Sequence, residues 1–412
     1  MVINPPDQGA HSAQRPTASQ GLSANGQLPS LTALRGVAAF WVVLYHYSVQ
    51  CLPNLDVVPH TYLIHKGYLA VDMFFMLSGF VMTHVYHRAF SESVTRHYRS
   101  FLVARIARIY PLHLLILVLF VATAMAARLT SGATLGALRN VPLQGSESVS
   151  AFFANVFMVQ GLDAGNLSWN YPSWSISVEF MAYLLFPLAL PAIWRASGKA
   201  KIAMALFLVA LLALLAFLTE GNFDQWDGPI TLLRCLPEFI LGTLLYCAFR
   251  AARPRSFLGR DAAVFGILLV IVSCLHAGAP DLLITCLFAV LVLTAVLNTG
   301  SFSALANLSP LIWLGDISYS LYLIHGFVQF LTTKLLGHFG IHDHADLSIY
   351  SSLALIVLMI VVSVAVAHLT YFGIEIGCRQ YLRDLFGVGP KKQLVPAMVR
   401  SSYPTVVRRR VS

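Results

Sequence analysis

Arg35 and His46 place a permanent cation and a titratable imidazole on one strongly apolar segment of the chain. On a helix, a step of eleven residues returns almost to the starting angle, so both side chains share one face and lie about 16 Å apart along the axis. An imidazole can transfer protons near neutral pH, and a guanidinium can bind phosphate through two hydrogen bonds. Polar groups inside a membrane span are costly, so this pair predicts a functional site.

The elements that carry these side chains are predicted to be membrane helices. The chain has 412 residues, of which 57% are hydrophobic and 11% are charged, whereas a soluble domain carries about 25% charged residues. We therefore predict an all-α, polytopic membrane helical bundle in residues 31–376, between a disordered polar segment (1–30) and a basic cytoplasmic tail (377–412). Ten spans of suitable length are predicted at 31–50, 68–87, 109–127, 173–194, 201–219, 229–249, 262–277, 281–298, 310–335 and 352–376.

The net charge of +9 follows from the predicted topology. Arg and Lys residues collect in alternate connections and in the tail, which is the positive-inside pattern and places both termini in the cytoplasm. A basic cluster beside a span contacts anionic lipid headgroups, so membrane lipids rather than nucleic acid are the expected partner of the tail. The six cysteines show no paired C-x-x-C spacing, and neither a metal site nor a disulfide is predicted.

The topology also assigns depths to the other polar groups. Asp72 and Glu179 fall in the outer half of the membrane, at a level comparable to that of His46. Either carboxylate could orient the imidazole and stabilise its cationic form. Arg234 and Glu238 are one helical turn apart on one face at the same level. Several helices thus bring ionisable groups together; a purely structural role in bridging helices is the alternative.

Arg105 and Arg108, spaced i,i+3 where the third span is predicted to begin, could join Arg35 in a cationic mouth for a phosphate-bearing ligand. The alternative is that they are ordinary anchors on lipid phosphate. Farther along the chain, Tyr322 and His325 could line the same cavity or satisfy a neighbouring helix. The Ser78 hydroxyl has no base identifiable beside it, so helix packing is its expected role.

Six segments in this order resemble the acyltransferase-3 family of bacterial integral-membrane acyltransferases, over about residues 30–376. Ala70 replaces the Gly that usually precedes Val-Asp in the second segment. The segments are Arg35-x10-His46, Val71-Asp-Met-Phe-Phe-Met-Leu-Ser-Gly79, Arg105-x-x-Arg108-Ile-Tyr-Pro111, Trp174-Ser-Ile-Ser-Val-Glu179, Arg234-Cys-Leu-Pro-Glu238 and Ser318-Tyr-Ser-Leu-Tyr322-Leu-Ile-His325.

The resemblance implies transfer of an acyl group, often acetyl, from cytoplasmic acyl-CoA to a hydroxyl of an exopolysaccharide, a lipopolysaccharide or another surface glycan at the bacterial inner membrane. The acceptor could be lipid-linked, and polysaccharide-assembly proteins would be further partners. Some members continue into an extracytoplasmic hydrolase-like domain; none is recognised in this chain, so a one-component mechanism or a separate partner protein is expected.

The resemblance and the depths together suggest roles for the site residues. We expect acetyl-CoA or another acyl-CoA at Arg35, Arg105 and Arg108, with the thioester reaching toward His46 as general base. Asp72 or Glu179 would orient His46 or position the acceptor, and Ser78, Arg234, Glu238, Tyr322 and His325 would be substrate-binding or structural polar groups. Direct transfer and a transient acyl-enzyme both remain open.

Two other functions use the same residues. A proton-coupled transporter would employ His46, Asp72, Glu179 and His325 as a proton relay, although no inverted repeat between residues 31–200 and 201–376 is visible. A non-catalytic scaffold or sensor would use the polar groups only for helix packing. Stabilisation by CoA or acyl-CoA separates the enzyme from the transporter.

Overall fold

The computed structural model describes residues 28–58, 60–130, 145–163, 168–225, 228–252 and 256–388, and every regular element within these ranges is a helix. The predicted all-α bundle is confirmed. The helices are α1 (Pro29–Tyr45), α2 (Ala70–Glu92), α3 (Val94–Thr130), α4 (Val149–Val156), α5 (Trp174–Arg195), α6 (Gly198–Leu218), α7 (Ile230–Ala251), α8 (Asp261–His276), α9 (Asp281–Leu297), α10 (Ser301–Ala306), α11 (Ser309–Asp316), α12 (Ser318–His338), α13 (Ile349–Thr370) and α14 (Ile376–Leu385).

Within the described ranges, six helical stretches are long and apolar enough to cross a membrane, and the bent pair α11–α12 makes a seventh candidate. The chain is therefore a membrane protein. Helices α8 and α9 are apolar but have only 16 and 17 residues, and α1 has 17 before its geometry changes. The predicted total of ten spans, like the placement of the termini, stays a prediction.

Three predicted spans differ from the observed helices. Helix α3 begins at Val94 rather than near residue 109, so Arg105 and Arg108 lie inside a continuous helix. The span predicted at 310–335 is two helices bent by 62°, and the last one changes to a π-helical segment at Tyr371–Glu375 before α14. Since α14 extends to Leu385, helix continues past the predicted domain end at 376. Residues 1–27 and 389–412, which hold most of the two predicted terminal segments, lie outside the described ranges.

Helix α2 lies at the centre of the bundle. In the stretch that contains it, 78% of the most apolar window is buried, against 17% for α6 and for the stretch that contains α13. Helix α2 packs along α7 at two glycines, where an added Cβ would lie 1.9 Å from the Phe239 carbonyl oxygen (from Gly79) and 2.0 Å from that of Met76 (from Gly242). Small residues permit such close backbone approach in membrane helices, and this contact brings Asp72 and Arg234 within reach of each other.

Helix α1 changes geometry where the candidate base is located. After Tyr45 the chain continues as a π-helical segment, His46–Cys51, which ends before Pro53. Such segments are rare and are frequently found at functional sites, because the wider turn redirects side chains. His46 is the first residue of this segment.

Candidate active site

A cavity of about 380 Å³ lies among α1, α2, α3, α5, α11 and α12. This volume is within the usual range for small-molecule sites. The cavity brings together more than half of the residues singled out from the sequence. Those that line it are Arg35, Ser78, Arg105, Arg108, Glu179 and Tyr322.

Arg35 holds the bend between α11 and α12. Its Nη2 donates to the Gly315 carbonyl oxygen at 2.7 Å and its Nε to the Ser318 hydroxyl at 2.9 Å. A helix end leaves its last carbonyl groups without partners, and the guanidinium satisfies one of them here. Gly315 also lies against α1 so closely that an added Cβ would be 2.1 Å from the Thr32 carbonyl oxygen. Some of the hydrogen-bond donors of Arg35 are therefore used in stabilising the fold.

The guanidinium groups of Arg105 and Arg108 differ in the contacts that they make with the protein. Arg105 lies over the rings of Tyr86 and Phe101, 5.7 Å and 6.0 Å from their centroids. Arg108 has electrostatic neighbours in Glu375 and Glu179, but among the described residues no hydrogen bond or ion pair of its guanidinium to a protein group is found. The donors of Arg108 are therefore available to a ligand in the cavity.

Glu179 and Ser78 are connected through a residue that sequence reasoning missed. The Tyr183 hydroxyl donates to Glu179 Oε1 at 2.5 Å and lies 2.9 Å from the Ser78 hydroxyl. Because the single phenolic proton goes to the carboxylate, Ser78 must be the donor to Tyr183. Glu179 and Tyr183 are spaced i,i+4 on α5, and this spacing was the only available signal. Contrary to the sequence expectation, Ser78 thus has a proton-accepting chain beside it.

Asp72 is paired with Arg234. The Arg234 Nε donates to Asp72 Oδ1 at 2.8 Å and Nη2 to Oδ2 at 2.6 Å, while Nη1 donates to the Phe223 carbonyl oxygen at 2.7 Å. The two side chains are almost completely buried, with residue exposures of 0% for Asp72 and 4% for Arg234. No hydrogen bond joins His46 to Asp72 or Glu179 in the described ranges. The three predicted catalytic residues thus lie in three separate hydrogen-bond groups.

Glu238 accompanies the Asp72–Arg234 pair. It follows Arg234 by one turn of α7 and is fully buried. Among the described residues no group donates to its carboxylate oxygens, but its carboxyl group lies within hydrogen-bond reach of the Asp72 carboxylate. The predicted shared face of Arg234 and Glu238 therefore does not produce an ion pair between them, because Asp72 occupies two of the guanidinium's donors.

His46 contacts a second histidine. Its Nδ1 lies 3.1 Å from His325 Nε2, and the two rings stack with centroids 4.9 Å apart. The Tyr171 ring, not considered from the sequence, packs 5.0 Å from His46. Within α12, Ser318, Tyr319 and Tyr322 line the cavity, and His325 is one turn farther along.

Tyr322 connects the cavity with the histidine pair. Its ring lines the cavity and is 5.6 Å from the ring of His325. Its hydroxyl donates to the Pro172 carbonyl oxygen at 3.0 Å and lies 2.7 Å from the Ser175 hydroxyl. Within the described ranges, no group of three or more His, Cys, Asp or Glu side chains that could hold a metal ion is found.

Comparison with known proteins identifies the family. The acyltransferase domain matches residues 28–372. The acyltransferase MdmB of Streptomyces mycarofaciens is 29% identical over 86% of this chain and 92% of its own length. The O-acetyltransferase OatA of Staphylococcus aureus is 23% identical over 89% of this chain and 59% of its own length. YrhL of Bacillus subtilis, provisionally named a peptidoglycan O-acetyltransferase, is also 23% identical, over 87% of this chain and 57% of its own length.

The chain thus spans less than two thirds of the length of OatA and YrhL, but nearly all of MdmB. No solved structure matches the chain significantly. Because the domain match covers most of the sequence, including every candidate site residue, the chain belongs to the acyltransferase-3 family and is an acyltransferase.

Proposed function

We propose that this protein moves an acyl group, most simply acetyl, from cytoplasmic acyl-CoA to a hydroxyl of an extracytoplasmic or lipid-linked glycan, with His46 as general base. The observation that carries the proposal is a cavity lined by three guanidinium groups and connected to His46 through Tyr322 and His325. Family membership supports the reaction class and argues against the transporter and scaffold functions.

The donor site is supported by charge and by volume. Arg108 offers hydrogen-bond donors that no described protein group occupies, and planar guanidinium groups bind phosphates through two hydrogen bonds. Arg35 and Arg105 add positive charge to the same cavity. A volume of about 380 Å³ suits the thioester-bearing arm of CoA, with the nucleotide at the guanidinium-lined part. By the positive-inside pattern, this part would face the cytoplasm.

His46 would act on the acceptor. Its Nε2 takes the proton from the glycan hydroxyl while the hydroxyl oxygen attacks the thioester carbonyl carbon. The carbon–sulfur bond breaks, CoA leaves as the thiolate, and the proton then passes from His46 to the thiolate. Glu179, in the cavity wall, would position the donor or the acceptor. Asp72, whose oxygens are both bonded to Arg234, would act by holding α2 and α7 together.

The acceptor class is supported by the relatives. OatA is named an O-acetyltransferase, and the name of YrhL refers to peptidoglycan. The position of His46 in the outer half of the predicted topology supports an acceptor that reaches the site from outside the bacterial inner membrane.

The first experiment measures O-acetyl esters on surface glycans from a strain that lacks the gene and is complemented with wild type, His46→Ala or His338→Ala. His338 is an exposed histidine at the end of α12 and serves as the matched control. We expect esters with wild type and His338→Ala and none with His46→Ala at equal membrane levels. Esters restored by His46→Ala would remove His46 as the base.

The second experiment tests the donor with purified protein in detergent. CoA should raise the thermal midpoint of the wild type, whereas pantetheine, which lacks the phosphates, should raise it much less. Arg108→Ala should abolish this difference. An equal shift by CoA and pantetheine in the wild type would contradict phosphate recognition at the guanidinium groups.

A further inference from the structure

The contact between His46 and His325 joins two ring nitrogens, one of which must donate and the other accept. The distance from His46 Nδ1 to His325 Nε2 is 3.1 Å, and the rings are inclined by 30°. His325 is fully buried, with 0% exposure, whereas His46 is partly exposed. The direction of this hydrogen bond decides which nitrogen of His46 has a free lone pair.

The backbone of α12 determines that direction. His325 Nδ1 lies 3.3 Å from the Leu321 carbonyl oxygen. A carbonyl oxygen only accepts, so Nδ1 carries the proton, and a neutral imidazole then has its lone pair on Nε2. A second proton would put a cation in a fully buried position, where no described carboxylate is bonded to it. His325 Nε2 is therefore the acceptor, and His46 Nδ1 is the donor.

We propose that His325 is a positioning residue, which accepts the Nδ1 proton of His46 and so holds His46 in the tautomer whose Nε2 is free to act as base. The proposal rests on the proposed function, because it gives His325 a role in the same proton transfer. The Val42 carbonyl oxygen, one turn earlier on α1, is a second hydrogen-bond partner of the His46 ring. Because a helical histidine reaches that carbonyl through Nδ1, as His325 reaches Leu321, Nε2 stays available to the acceptor hydroxyl.

The same contact would act again during the reaction. When Nε2 takes the proton of the acceptor hydroxyl, His46 becomes an imidazolium with protons on both nitrogens. The hydrogen bond from Nδ1 to His325 Nε2 is then charge-assisted and stronger. No carboxylate is needed at His46 for this stabilisation, which agrees with the separate partners of Asp72 and Glu179.

His325 is itself held in place from two sides. The Tyr47 hydroxyl donates to the His325 carbonyl oxygen at 3.1 Å and lies 2.6 Å from the Ser363 hydroxyl on α13. The Tyr171 ring packs against both histidines, at 5.0 Å and 6.2 Å, and its hydroxyl donates to the Gln329 side chain at 2.7 Å. The first contact holds the backbone at His325, and the Tyr171 ring limits rotation of the two imidazoles, as a tautomer-fixing contact requires.

The test compares His325→Gln with His325→Leu in purified enzyme. The Gln amide oxygen can accept the Nδ1 proton, whereas the Leu side chain fills space and accepts nothing. We expect kcat to fall by a factor on the order of 100 for Leu, the scale of lost acid–base catalysis, with an unchanged KM for acyl-CoA and a clear recovery for Gln. Wild-type kcat in the Leu variant, with His46→Ala inactive, would overturn the proposal.

A second readout does not depend on activity. Nitrogen-15 NMR of histidine-labelled wild-type protein, with His46 assigned by substitution, should show Nδ1 protonated and Nε2 unprotonated at neutral pH. If His325→Leu does not insert into the membrane, the NMR signal of wild-type His46 tests the proposal by itself. A His46 that is protonated at Nε2 and not at Nδ1 would overturn it. Full activity of His46→Ala would instead refute the proposed general base and would leave the tautomer assignment to the NMR signal.

Discussion

Asp72 and Arg234 form a two-point ion pair in the bundle interior, with nitrogen–oxygen distances of 2.8 Å and 2.6 Å. The pair joins α2 to α7 about two helical turns from the close backbone contact of these helices at Gly79 and Gly242. Burying two charges is costly, and the cost is recovered only while both partners are present. We therefore expect the pair to fix the register of two helices, one of which carries Ser78 into the cavity wall.

Loss of one partner should destabilise the protein strongly. Asp72→Asn or Arg234→Leu leaves the other charge buried, which costs about 3–5 kcal/mol in comparable cases. We expect a large drop in the thermal midpoint of each purified variant. Exchange of the two residues, Asp72→Arg with Arg234→Asp, should recover part of that loss.

Glu238→Gln provides the matched control for these variants. It lies one turn from Arg234, is equally buried, accepts from no donor in the described ranges, and lies against the Asp72 carboxylate, to which a Gln amide can still donate. Because Gln preserves its volume and leaves the Asp72–Arg234 pair intact, stability should change little. If Asp72→Asn inserts with a wild-type midpoint and loses only activity, Asp72 acts in the chemistry and not through the pair.

Gly79→Ala should separate α2 from α7. The added methyl group would lie 1.9 Å from the Phe239 carbonyl oxygen, a distance that only a backbone shift can relieve. Overpacking of this kind costs about 1–3 kcal/mol or more, and here it also pulls Asp72 away from Arg234. We expect lower stability and lower transfer activity, measured by thermal unfolding and by acyl transfer.

Gly266→Ala in α8 is the control for this substitution. An added Cβ there meets no atom within 4 Å, and Ala has the higher helix propensity. Stability should therefore stay the same or rise slightly. Equal effects of the two substitutions would contradict the tight contact at Gly79.

The sequence assigns an expected depth to the polar groups, which stays a prediction, and it does not give their partners. Topology gives a depth for Asp72, Glu179 and His46, and three groups at one depth suggested a single cluster. Depth does not give the direction in which a side chain points around the bundle. Arg234 becomes the partner of Asp72 because α2 and α7 pack closely at their glycines. This packing is not apparent from either segment alone.

Other features depended on contacts distant in sequence. The bend after Asp316 falls within an apolar run that reads as one span, and Arg35, on another helix, satisfies the Gly315 carbonyl oxygen there. His325 was identified as a polar residue of the site, but its contact with His46, the first residue of the π-helical segment, joins positions 279 residues apart and could not be read from either segment. In contrast, the i,i+4 pair of Glu179 and Tyr183 was visible in the sequence and could have been found.

Substitutions of Arg35 and Arg108 should distinguish a role in stabilising the fold from a role in binding the acyl donor. Arg35→Ala removes three hydrogen bonds at the bend and leaves the Gly315 carbonyl oxygen with one donor, Ser318, so we expect a loss of roughly 1–3 kcal/mol. Arg108→Ala removes no hydrogen bond to a described protein group, only the attraction to Glu375 and Glu179, so stability should fall less than in Arg35→Ala while the KM for acyl-CoA rises at least several-fold. A large stability loss in Arg108→Ala with unchanged KM would show that Arg108 is structural.

Ser78 provides the test between direct transfer and an acyl-enzyme. Its hydroxyl donates into a chain that ends at Glu179, an arrangement that could activate a nucleophile. In the proposed direct transfer this chain only shapes the cavity wall. Ser78→Ala should then cost one neutral hydrogen bond, about 0.5–1.5 kcal/mol, and retain activity within about tenfold.

Tyr183→Phe should cost more, because Glu179 loses its only described hydrogen-bond donor. We expect a raised KM for acyl-CoA with a smaller change in kcat. Mass spectrometry of enzyme quenched during turnover should detect no acyl group on the peptide that contains Ser78. An acylated Ser78 peptide that disappears when acceptor is added, together with an inactive and well-inserted Ser78→Ala, would replace direct transfer by a two-step mechanism. His46 would then activate the acceptor only in the second step.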